Sequence, residues 1–142
     1  MALGMAAALA VGCSGSITPS PTPGSMDDVI ANIVLQDVTV LRLTSGDSGC
    51  PTSSLHDNAV HLTLVIGDQS ASHEVYLLRW RNQAEYDEAA ADFNACLEEY
   101  RALNPASAVT AINSPPWRAY GPSLNGPIGV ILFNALQATG GG

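Results

Sequence analysis

The stretch Glu74–Leu103, EVYLLRWRNQAEYDEAAADFNACLEEYRAL, carries two hydrophobic periods in succession. Its opening, EVYLLRW, is rich in β-branched and aromatic residues and predicts a strand over Val75–Trp80. From NQAEY onward the period changes. At about 100° per residue, Tyr86, Ala89, Ala90, Phe93, Cys96, Leu97, Tyr100 and Leu103 share an arc of about 140°. Asp87, Glu88, Asp92, Asn94, Glu98 and Glu99 fall outside it. This is the pattern of an amphipathic helix with a wide apolar face. Acids in its first turn (Glu85, Asp87, Glu88) and Arg101 in its last suit the helix dipole. Asn104-Pro105 ends it, because proline disfavours a helical residue before it. The acidic outer face reads as solvated.

The flanking sequence supplies partners for this strand and helix. Ser25 before Met26-Asp27-Asp28 has the form of an N-cap with an acidic first turn. Val29, Ile30, Ile33 and Val34 make the stripe of a short helix ending near Gln36. VTVLRL (Val38–Leu43) and AVHLTLVI (Ala59–Ile66) read as strands, the second with Val60, Leu62, Leu64 and Ile66 on one face and His61 and Thr63 on the other. The Ala59–Ile66 and Val75–Trp80 strands form an expected antiparallel hairpin. Thr44–Asn58 is a long polar loop carrying Cys50. Downstream, Ala108–Asn113 is a weaker fourth strand, and SPPWRAYGP (Ser114–Pro122) reads as a Pro-rich surface loop. Asn125-Gly126-Pro127 opens a helix over Ile128–Ala138, with proline in its first turn, although GVILF also has strand character. The expected fold is α+β: a two-layer sandwich, a mostly antiparallel sheet of about four strands with helices on one face.

Composition narrows the function. The 142 residues suffice for one domain with a core, and 46% are hydrophobic. The net charge is −8; the five basic residues are all arginine, against thirteen acids. Five scattered arginines assemble no basic patch, so nucleic acid is not an expected partner. The same balance disfavours electrostatic docking on anionic lipid heads.

The first 25 residues are MALGMAAALAVGCSGSITPSPTPGS. The apolar run Ala2–Gly12 is far below the roughly 20 residues that span a membrane. Ser14–Ser25 is free of charge and has the Ser/Thr/Pro/Gly composition of a disordered tether. Leu9-Ala10-Val11-Gly12-Cys13 resembles the lipobox of bacterial lipoprotein signal peptides. That resemblance, confined to the N-terminus, implies cleavage before Cys13, a diacylglyceryl thioether on its sulfur and an acylated amino group. It divides the chain into a signal peptide (1–12), a lipidated Cys13 with its tether (13–25) and a single α+β domain (26–142). It also implies a place in the cell envelope, lipid-anchored on the extracytoplasmic side of a bacterial membrane. Secretion without lipid, and an ordinary apolar N-terminus on a cytoplasmic protein, are the other readings. With Cys13 acylated, Cys50 and Cys96 remain, and an even remainder in an exported domain suggests a disulfide. The other reading is a loop thiol at Cys50 and a buried thiol at Cys96. There is no C-x-x-C redox spacing.

Three constellations bear on chemistry. GDSGCP (residues 46–51) resembles the nucleophile segment of chymotrypsin-like proteases, but no histidine precedes Ser48 as that chain order requires, and a cysteine replaces the second motif glycine. His56, Asp57, His61 and His73 are of metal-ligand type, and His61 and His73 on neighbouring strands could approach one another. Zinc wants three or four ligands in a tetrahedral array; the spacing matches no zinc pattern, and surface histidines are the simpler reading. Arg79-Trp80-Arg81 and Trp117-Arg118-Ala119-Tyr120 hold both tryptophans and three of the five arginines, the composition of binding hot spots. Otherwise the tryptophans cap the core edge and the arginines pair with the acidic helix. No cofactor is expected and no enzyme class is assigned. The expectation is a membrane-anchored binding or accessory module for a protein or small-molecule ligand. The alternatives are a small metal-dependent or hydrolytic enzyme using His56, His61 and His73, and a structural envelope protein without ligand.

Overall fold

A computed structural model of the protein describes residues 24–52 and 54–140. The expected signal peptide, Cys13 and most of the expected tether lie outside the described residues.

The chain runs α1 (Met26–Val34), β1 (Val38–Ser45), a 3₁₀ turn (His56–Asn58), β2 (Ala59–Ile66), β3 (His73–Arg79), α2 (Gln83–Glu88), α3 (Ala90–Leu103), β4 (Thr110–Ser114), β5 (Trp117–Gly121) and α4 (Pro127–Ala138). All strand pairs are antiparallel, in the order β1-β2-β3-β5-β4. The expected α+β class on an antiparallel sheet is what the protein has. The sheet contains five strands rather than about four.

The fifth strand lies where a surface loop was expected, and that expectation is corrected. Pro115-Pro116 forms only the tight turn between β4 and β5, through a cis peptide bond. WRAYG then runs as a strand between β3 and β4 and is buried throughout. Proline lacks the N–H that a ladder needs, so the two prolines restrict themselves to the turn. The segment after them opens on Trp117 and carries Tyr120, both residue types enriched in strands.

Strand alternation sorts the core into two clusters. Val60, Leu62 and Leu64 of β2, Val75 and Leu77 of β3, and Trp117 and Ala119 of β5 pack with Val29 and Ile33 of α1 and Ile128, Leu132, Ala135 and Leu136 of α4. Tyr76 and Leu78 of β3 and Tyr120 of β5 pack with Tyr86, Phe93, Cys96, Leu97 and Tyr100 of α2 and α3. Successive side chains of a strand point to opposite faces, so the two clusters lie on opposite sides of the sheet. The helices are therefore divided between its faces, where one face had been expected to carry them all. The hydrophobic continuity of VYLL is the signature of a strand buried on both sides.

Local signals place the helices. Ser25 caps α1 with a reciprocal Ser25–Asp28 capping box, and the hydrogen bonds from Ser25 hold the Asp28 carboxyl below its usual range. Asn82 caps α2 by accepting from the Glu85 N–H at 2.9 Å. The helix expected to run unbroken to Leu103 is divided at Ala89, yet Tyr86, Phe93, Cys96, Leu97 and Tyr100 are buried as the periodicity required. Leu103, at the far end of the arc, is 62% exposed, against the expectation that it shares the buried face. α4 begins with Pro127 in its first turn and is helical, which resolves the strand character of GVILF.

Candidate functional site

The polar side chains converge on the aromatic side of the sheet. Cys50 and Cys96 form a disulfide, with Cα atoms 5.4 Å apart across a separation of 46 residues. It ties the loop after β1 to α3. Beneath it the rings of Tyr76 and Tyr120 stack at 5.0 Å, with Tyr100 edge-on to both at 5.3 and 5.1 Å. The Tyr120 hydroxyl donates to the Ser48 carbonyl. Gly49 adopts a left-handed φ of +79°, and a Cβ there would lie 2.8 Å from the Tyr76 ring. Glycine is required at that position both by backbone conformation and by the approach of the rings.

His61 lies on Tyr76, ring centroids 4.4 Å apart. Its Nδ1 is 3.0 Å from Asp47 Oδ2, and its Nε2 is bonded to Glu74 Oε2. Thr63 donates to the same Glu74 carboxylate at 3.0 Å. The neutral imidazole has one N–H and can donate to one of these carboxylates; the cation donates to both. The His61 side chain is 19% exposed, Asp47 and Glu74 about twice that. The three form a strap at the surface, and exposed pairs of this kind contribute about 0.2–1 kcal/mol each.

Ser48 of the GDSGCP segment bonds His56 Nδ1 at 3.0 Å. The pairing has the letters of a nucleophile and its base, but Ser48 is fully buried beside the disulfide. No substrate carbonyl reaches its hydroxyl. Burial pushes the phenols of Tyr76, Tyr100 and Tyr120 above the ordinary tyrosine value, so all three stay protonated at neutral pH.

The remaining candidates separate. His61 pairs across the ladder with Tyr76, and His73 with Leu64, so the two imidazoles are three rungs apart on opposite faces. His56 is held by Ser48. The three histidines therefore share no site, which corrects the weak metal candidate. Among the described residues, no group of three or more His, Cys, Asp or Glu side chains could hold a metal ion.

The tryptophan–arginine segments are also corrected as an exposed contact surface. Trp117 and Tyr120 are fully buried, Arg118 is 5% exposed and Trp80 is buried. The Arg118 guanidinium lies 3.7 Å from the Tyr86 ring centroid and 5.1 Å from those of Trp80 and Phe93. It is a cation packed in aromatic faces, not the expected partner of the acidic helix. Arg79 stands over Trp117 at 5.4 Å. Arg81 alone is exposed among them and pairs with Glu85 at 3.2 Å.

Two depressions flank this architecture. One, about 370 Å³, lies between α1 and the β1–β2 end, lined by Met26, Ile30, Leu43, Asp57, Val60 and Arg79. The other, about 620 Å³, lies over Trp80, with Asp57, Glu85, Glu88 and Asp92 on its rim.

The surface that sequence reasoning missed is apolar. Val34 and Leu35 at the end of α1 are 50% and 82% exposed, and Val130 and Phe133 of α4 are 62% and 46% exposed. The sequence carries one signal for it: no charged residue follows Arg118. No family model matches the chain, and neither a curated protein nor a solved structure does.

Proposed function

We propose that the protein is an extracytoplasmic, lipid-anchored domain with a binding or accessory role in the bacterial cell envelope. The observation that carries this reading is the Cys50–Cys96 disulfide. Disulfides persist in oxidising compartments, and pairing these two leaves Cys13 as the one unpaired thiol, at the head of the tether. Several acyl chains at about 0.8 kcal/mol per buried methylene would hold the protein on a bilayer.

A binding role is supported over catalysis by the state of the candidate groups. Ser48 is inaccessible, and His56 and His61 are engaged in fastening the disulfide loop. Intact-mass spectrometry of membrane-extracted protein tests the proposal. The expected mass begins at Cys13, carries acyl chains and lacks two hydrogens. A chain with residues 1–12 intact and three alkylatable thiols would overturn it.

A further inference from the structure

We infer that the outer surface of the α1–α4 layer rests on the lipid bilayer, so that the domain lies on the membrane with its disulfide side facing away. The inference rests on the lipid anchor proposed above, and the following observations choose the face.

The two helices run antiparallel on one side of the sheet. The Gly24 N–H donates to the Thr139 carbonyl at 2.8 Å, which joins the start of α1 to the end of α4. At the opposite end Gln36 donates to the Ile131 carbonyl at 2.9 Å. Asn134 donates to the Gln36 side chain at 3.3 Å. Val34 and Leu35 are thereby brought beside the first turns of α4, which expose Val130 and Phe133. These are four of the seven large hydrophobic side chains most exposed among the described residues. Large apolar side chains left exposed on neighbouring helices mark a place of contact.

Charge selects the partner. α4 has no charged residue, and the charges of α1 are Asp27 and Asp28 in its first turn. The rest of the domain carries every arginine and the other acids. A strongly acidic body is repelled by anionic lipid heads, so the layer with least charge is the one that can approach them. The same negative charge opposes a second copy as the occupant.

The tether joins the domain at this layer. Ten residues lie between Cys13 and Gly24. A chain of that length reaches at most about 40 Å. A domain of this length is about 35 Å across. The chain enters at the α1–α4 layer, so the anchor holds that side near the bilayer at high effective concentration. A weak apolar contact then suffices.

The test uses full-length acylated protein in phosphatidylcholine vesicles, with and without brominated acyl chains. One variant carries Val130→Trp, another Asn94→Trp on the exposed face of α3. Bromine should quench the indole at position 130 several-fold more than that at 94. Raising salt should not release it, and adding Leu35→Glu should reduce the difference. Equal quenching in a sample whose mass confirms acylation overturns the inference and leaves the anchor standing. Cross-linking between copies through position 130, without bromine quenching, overturns it in favour of self-association. If the mass shows no acyl chain, the anchor is wrong; selective quenching at 130 by added vesicles would still support the face, and its absence would remove both.

Discussion

The two faces of the sheet are stabilised by different physics. The α1–α4 side is aliphatic apart from Trp117, built from Val, Leu, Ile and Ala. Its cohesion is area and packing, at about 1.5–3 kcal/mol for each large side chain fully buried. The α2–α3 side is aromatic and polar, with four tyrosines, Trp80, Phe93, a disulfide and a buried arginine. Its cohesion depends on orientation: stacked and edge-on rings, a hydroxyl on a carbonyl, and a cross-link. The difference teaches that the cross-link and the orientation-dependent contacts are confined to one side. Removing the cross-link should injure the aromatic side, whereas the aliphatic side should tolerate reduction and be injured by cavities.

The largest expected effect is Trp117→Ala, which opens the aliphatic core at a fully buried position and should cost about 3–5 kcal/mol. Denaturant melts check it. A melting temperature close to wild type would mean that Trp117 is not the core residue described here. Next is Cys96→Ala, or reduction. Freeing a 46-residue loop should cost about 4 kcal/mol on the chain-entropy account. Hydrogen exchange should show the loss first in α3 and the loop after β1, with α1 and α4 protected. Uniform loss of protection would break the contrast between the faces.

Tyr120→Phe strands the buried Ser48 carbonyl and should cost about 1–3 kcal/mol. The same phenols give an alkaline limb. Their folded values lie above the ordinary 10.0, so the stability they contribute is present below pH 10 and is lost as pH rises beyond it. Phenolate absorbance and loss of near-ultraviolet dichroism should therefore coincide above that pH; phenolate forming in the folded protein would contradict the burial of these rings. The smallest effect is expected for Arg118→Met. A buried cation supported by rings, with no carboxylate within 4 Å among the described residues, should exchange for an apolar chain within about 1 kcal/mol. A loss of several kcal/mol would show that the guanidinium holds the two layers together.

Much of the fold was legible because its signals are local. The Ser25 cap, the alternation of AVHLTLVI, the helical arc from Tyr86 to Tyr100 and Pro127 at the start of α4 each lie within a window of about fifteen residues. The pairing of Cys50 with Cys96 followed from count and presumed compartment. What was misread is non-local. Pro115-Pro116-Trp117 has the composition of a loop, and only the position of β5 between β3 and β4 makes it interior. The histidines of neighbouring strands look adjacent in sequence order, but register and parity separate them.

The sequence by itself determined most of the elements, the Ser25 cap and the α+β class they compose, because propensity, capping and hydrophobic period are properties of neighbours along the chain. The tertiary structure decided which face each helix covers, that the tryptophans and Arg118 are interior, that Ser48 is buried beside the disulfide, and that Val34, Leu35, Val130 and Phe133 are left exposed on the α1–α4 layer. Those outcomes depend on strand order and register, which are fixed by contacts between residues distant in sequence.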